Sequence, residues 1–187
     1  GEVTDAGIGI IDDTHFEGFV VTYHQYLRLY DPEGKVVMYF YGEISKKPKN
    51  VGAFTENNIQ ENTSSAKGKG AGLFLNYQTA ENEKVEIKVG LSYTSTANAK
   101  ENLKEEAGFL SFDGAKVKAR EIWQQELSKI VIDDLNEQNK IKFYTGLFHA
   151  LLGRGIASDV NGAYPKHGGL AGQLKRTNGK EVSEFMN

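Results

Sequence analysis

The chain has 187 residues, a net charge of −3, no cysteine and 39% apolar content, enough length and apolar side chain for a sizeable core. The weak negative balance supplies no basic field for a nucleic acid, and the absence of cysteine excludes disulfides and cysteine-ligated metals. No run reaches the roughly 20 apolar residues of a membrane span, and the opening GEVTDAGIGI lacks a basic-then-apolar leader pattern, which places any export signal outside the sequence.

Residues 16 to 94 read as strands. FVVTYHQYLRLY and KVVMYFYGEIS flank DPEG at 31–34, with Pro32 and Gly34 where a tight turn wants them, so a hairpin is predicted. NTSSAKGKGAG is too rich in Gly, Ser and Lys to pack and reads as a loop; its KGKG lacks phosphate-loop spacing. AGLFLNYQT, residues 71–79, is expected to pair across AENE with KVEIKVGLSY. The latter alternates Val85, Ile87, Val89, Leu91 and Tyr93 against Glu86, Lys88 and Ser92, the pattern of a half-buried antiparallel strand.

After Tyr93 the period becomes helical. TSTANAKENLKEEAG opens on Ser/Thr caps and stops at Gly108. A second helix, capped by Asp113, places Ala119, Ile122, Trp123, Leu127 and Ile130 on one stripe. A third starts at Asp134 with Glu137 in a capping box and buries Ile141, Tyr144, Leu147, Phe148, Leu151 and Leu152. Strands followed by helices, not alternating with them, argue against a doubly wound sheet.

Motif chemistry is sparse. The sequence has no GxGxxG after a strand, no GxxxxGK[ST], no HExxH, no GxSxG and no EF-hand loop. His15, His24, His149 and His167 never fall at the i, i+4 spacing of a helical metal pair. His24 and His149 read as boundary histidines, and Trp123, on an apolar stripe, reads as core, not as a stacking platform. Tyr23, Tyr26, Tyr30, Tyr39, Tyr41 and Tyr77 supply aromatics to the strands, some of which alternation turns outward.

VEIKVGLSYTSTANAKENLKEE, then Phe112-Asp113, then Ala119, Arg120, Trp123, Leu127 and Ile130 as A-R-x-x-W-x-x-x-L-x-x-I, then KFYTGLFHALLGRGIASDVNGAYP, together resemble family 92 glycoside hydrolases. The similarity is to the segment joining the N-terminal β-sandwich of that family to its catalytic (α/α)6 barrel, and it spans residues 84–165; KVVMYFYGEISKKP resembles the late sandwich strand before it. The resemblance implies a calcium-dependent exo-acting α-mannosidase that inverts configuration, exported by a bacterium to the periplasm or beyond. It implies an α+β chain: a partial antiparallel β-sandwich region at 1–94, a helical linker at 95–132 and the first helix of the barrel at 133–187, with the family's early sandwich strands missing. The family's catalytic carboxylates and later calcium-binding segments map to no residue here, so no catalytic or metal residue is nominated, no calcium is expected in this stretch, and the chain alone is expected to be inactive.

One stretch stands out after the third helix, ASDVNGAYPKHGG. In a helical barrel, loops leaving helix ends build the sugar pocket, so Asp159, Asn161, Tyr164 and His167 are candidate substrate-binding residues for α-mannoside glycans. The alternative is that Asp159, Asn161 and Gly162 form an Asx-type turn. For the whole chain the alternative is a non-catalytic carbohydrate-binding or structural β-sandwich module using its tyrosines. If the third helix belongs to a barrel, its apolar face also favours self-association.

Overall fold

A computed structural model describes residues 2–23, 34–152, 158–165, 176–177 and 180–181. Strand β1 (Glu2–Ile10) pairs antiparallel with β2 (His15–Tyr23) through a reversal in which the Asp12 carboxylate accepts from the backbone N–H groups of Thr14 and His15. The Thr14 N–H and then the His15 ring hold that carboxyl below the usual carboxylate range. The predicted hairpin is present: β2 pairs with β3 (Val36–Ile44), Thr22 opposite Val36 and His15 opposite Glu43. Its turn residues 31–33, with His24, Tyr26 and Tyr30, lie outside the described residues.

Strand β4 (Asn50–Thr55), β5 (Asn58–Glu61), β6 (Ser65–Lys67), β7 (Gly72–Asn76) and β8 (Ile87–Ser92) complete two antiparallel sheets, one ordered β6-β1-β2-β3-β8 and the other β5-β4-β7. Three expectations change here. The strand β7 pairs with β4, not with β8, whose partner is β3. The stretch taken as a plain loop contributes β6, which lines the free edge of β1 before Gly68 and Gly70, at φ 117 and 71, turn the chain as only glycine does readily. The third concerns β8, whose alternation is as read but of opposite sense. Ile87, Val89 and Leu91 are about half exposed, at 54%, 48% and 51%, while Gly90 and Ser92 are buried.

Helix α1 (Thr96–Leu103) explains the reversal. It lies on the Gly90 side of β8 and β3, and a Cβ at Gly90 would run into the Ala99 carbonyl and Leu103. Tyr41, Ala99 and Leu103 form the buried cluster there, with Ala107 against it and the Lys100 ammonium 5.0 Å from the Tyr41 ring centroid. The Ser95 hydroxyl caps α1 by accepting from Asn98 N–H at 3.0 Å, and a single π-helical turn, Lys104–Gly108, follows.

Helix α2 (Phe112–Leu127) is capped by Ser111, which accepts from Gly114 N–H at 3.1 Å; Asp113, the expected cap, sits inside the first turn. Helix α3 (Glu137–Leu152) starts three residues later than expected. Asn136 accepts from Gln138 N–H, and Asp134 accepts from Asn136 N–H and the Asn139 amide, while Glu137 pairs with Lys140 instead of closing a capping box. The ladder of β9 (Arg176–Thr177) and β10 (Lys180–Glu181) is the last described element.

The chain forms two compact units, Gly1–Phe109 with Ser158–Asn187, and Leu110–Ala157. The first holds the sheets, α1 and the Asp159 turn. The second holds α2 and α3, which meet at Trp123 and Phe148, ring centroids 4.5 Å apart and tilted by 54°, and where the Tyr144 hydroxyl donates to the Ile130 carbonyl at 3.1 Å. Trp123, expected to be core, is half-buried, with Phe148 as its described aromatic neighbour.

Candidate functional site

The strand β8 and helix α1 carry polar residues on the sides they bury. Ser92 and Thr94 leave the inward face of the strand end, and Asn98 and Asn102, four residues apart, share one face of the helix. All four are less than 9% exposed. Polar groups in such positions need partners, and one carboxylate supplies them. Asp159, 7% exposed, accepts from Ser92 Oγ (3.0 Å), Thr94 Oγ1 (2.5 Å), Asn98 Nδ2 (3.0 Å) and Asn102 Nδ2 (2.7 Å).

The two asparagines are fully engaged. Asn98 Nδ2 also donates to Thr94 Oγ1, and its Oδ1 accepts from Asn161 Nδ2 at 3.0 Å. Asn102 Nδ2 also donates to the Leu91 carbonyl, and its Oδ1 accepts from Val160 N–H at 2.9 Å. Asn161 further donates to Glu101 Oε2 at 2.8 Å. The turn itself is closed by its backbone: Gly162 N–H to the Asp159 carbonyl, Asp159 N–H to the Ala163 carbonyl, and Gly162 at φ 83. The Asn161 side chain completes it by accepting from Ala163 N–H at 3.0 Å.

Of the four residues expected to meet substrate, three are thus gathered at one place and His167 lies outside the described residues. Asp159 turns inward, its oxygens occupied by side chains of β8, the segment after it, and α1. Asn161 belongs to the turn, and Tyr164 is half-buried beyond it. Ser92, Thr94, Asn98 and Asn102 were not singled out in the sequence. Their signal was polar residues at strand and helix positions that the α1–β8 contact buries.

Among the described residues no group of three or more His, Asp or Glu side chains is placed to hold a metal, and the Asp159 carboxylate faces four neutral donors. The Asp159 cluster, its carboxylate facing neutral donors, is not a ligand set for the calcium ion that the sequence resemblance implies. Of the strand tyrosines, Tyr41 is buried beneath α1, and Tyr23, Tyr39 and Tyr77 are half-buried. Burial pushes the Tyr77 hydroxyl up from its ordinary pKa. An open groove of about 540 Å³ lies elsewhere on the first sheet, lined in part by Gly7, Gly9, Glu17, Phe19 and Lys67, with a single carboxylate among its lining residues.

An antiparallel sheet pair followed by helices, with a polar turn fastened at the junction, defines an α+β segment of sandwich-plus-helix type. Residues 1–92 match the glycosyl hydrolase family 92 N-terminal domain and residues 98–185 match the glycosyl hydrolase family 92 catalytic domain. The chain belongs to glycosyl hydrolase family 92. No curated protein sequence matches it. Among solved structures it is similar to the family GH92 α-mannosidase BT3965 from Bacteroides thetaiotaomicron, at 24% identity and TM-score 0.73 over 87% of this chain and 22% of that one. It is also similar to the family GH92 inverting mannosidase BT2199 from Bacteroides thetaiotaomicron VPI-5482, at 18% identity and TM-score 0.79 over 88% of this chain. The GH92 glycosyl hydrolase ccman5 matches at 20% identity and TM-score 0.76 over 88% of this chain. The chain spans 22% of the length of each of these three structures.

Proposed function

We propose that the chain is the sandwich-and-linker part of an exo-α-mannosidase that hydrolyses α-linked mannosides with inversion, and that the turn within 158–165 forms one wall of its sugar pocket. The observation that carries this reading is the near-meeting of the two family matches at residues 92 and 98, where Asp159 of the second accepts from Ser92, the last residue of the first, and from Thr94 between them. Two of the similar structures are of mannosidases, one of them inverting, and BT3965 has also been solved in complex with mannoimidazole. Calcium dependence is part of the same proposal, with the ion assigned to segments other than the residues described here. So is a periplasmic or extracellular bacterial setting, which fractionation of the source cells tests.

An inverting glycosidase needs an acid that protonates the leaving oxygen and a base that activates water, their carboxyl groups about 6.5–9.5 Å apart. The one buried carboxylate among the described residues is Asp159, and it is committed to four donors. The part played by these residues is therefore to hold Tyr164 and the turn in place, where an aromatic ring packs on a sugar face. The test is hydrolysis of an activated aryl α-mannoside with and without calcium. Residues 1–187 alone are expected to be silent, and a longer product of the gene active. Turnover by these residues that is abolished by changing one of their carboxylates would overturn the assignment.

A further inference from the structure

Asp159 invites the simple reading that an Asp before Val-Asn-Gly makes an Asx-type turn, its side chain accepting from the turn's own backbone. The geometry differs: Asn161 fills that role and the Asp159 carboxylate bonds only to side chains 57 to 67 residues earlier in the chain. The turn closes through the backbone of Asp159, so nothing in it requires a carboxylate there. What requires one is the set of four buried donors.

We infer that Asp159 is a positioning residue, a bolt that fixes the Val160–Tyr164 turn on the β8–α1 junction, with Ser92 its one donor from the segment matched by the N-terminal family. Three features support a specific bolt over general core packing. Each asparagine contacts both the carboxylate and one of the two residues after it, Asn102 reaching Val160 and Asn98 reaching Asn161, so the loop is held in one register. The donors come from three places, the end of β8, the segment after it, and two turns of α1, which no single local motif would bring together. And a satisfied polar network is directional where an apolar contact is not, so it defines a position as well as a burial. The consequence for a sugar rests on the mannosidase reading above; the anchoring does not.

The test is amide hydrogen exchange on the chain and on two variants. Asp159→Asn keeps the shape but replaces one acceptor oxygen by a donor that faces donors. Asn98→Ala removes a partner from the other side and leaves the carboxylate in place. In both, exchange at Val160, Gly162 and Ala163 is expected to rise about tenfold or more, while amides of the β2–β3 pairing change by less than about twofold, the signature of local opening. Loop exchange at the wild-type rate in both variants overturns the inference, as does equal loss of protection in the β2–β3 pairing in both, which would make the cluster a general core element. In a longer, active product of the gene, the same variants are expected to raise KM for the aryl mannoside more than they lower kcat. A loosened loop with unchanged KM and kcat keeps the bolt and removes the turn from the sugar pocket, so the two readings fail separately.

Discussion

At Asp134 the carboxyl is held below the usual carboxylate range, first by the Asn136 backbone N–H and then by the Asn139 amide. A depressed folded-state value contributes stability that is present above the unfolded value near pH 4 and is lost as pH falls through the folded one. Asp134→Asn is therefore expected to flatten the acid limb of unfolding below about pH 4, and a side-chain carboxyl NMR titration checks the direction. Trp123 makes a different prediction. Half-buried against Phe148, it should cost about 2–3 kcal/mol on truncation to Ala, under the about 3–5 of a fully buried tryptophan, as read by urea denaturation. Asp, Asn and Gly at 159–162 announced a turn in the sequence, and the turn is there. The carboxylate's partners were not legible, because they lie 57 to 67 residues away and only folding brings them together.

At the scale of the element, β8 separates what a sequence pattern carries from what it leaves out. Alternation was readable, and so was the β2–β3 hairpin, whose strands are neighbours in sequence. Which face is buried was not readable, because a helix pressed close to a sheet selects for small residues and here finds Gly90. The pairing of β7 with β4 escaped for a related reason: a strand's nearest neighbour in sequence is only one candidate partner. The reversed face gives a paired test. Gly90→Val should cost about 2 kcal/mol or more through collision with Ala99 and Leu103, while Val89→Thr, one residue away on the half-exposed side, should stay within about 0.5 kcal/mol. Equal costs from the two changes would contradict the placement of α1.

For the molecule as a whole, apolar side chains stand open on both units: Ile87, Val89 and Leu91 on the first, Ile141 and Leu152 on the second. The isolated 187 residues are expected to self-associate, seen as concentration-dependent sedimentation; a monomer at about 100 μM would contradict this. The distance along the chain between Asp159 and its donors also sets an order of events during synthesis. Ser92, Thr94, Asn98 and Asn102 leave the ribosome 57 to 67 residues before the carboxylate that joins them. At about 5–20 residues per second that interval is about 3–13 s, during which the four side chains lack their shared acceptor. The β1–β2–β3 sheet can assemble in that time from contacts already made. The carboxylate joins them only when Asp159 arrives, so a nascent chain stalled between residues 110 and 158 carries a paired sheet and four polar side chains without the acceptor they share.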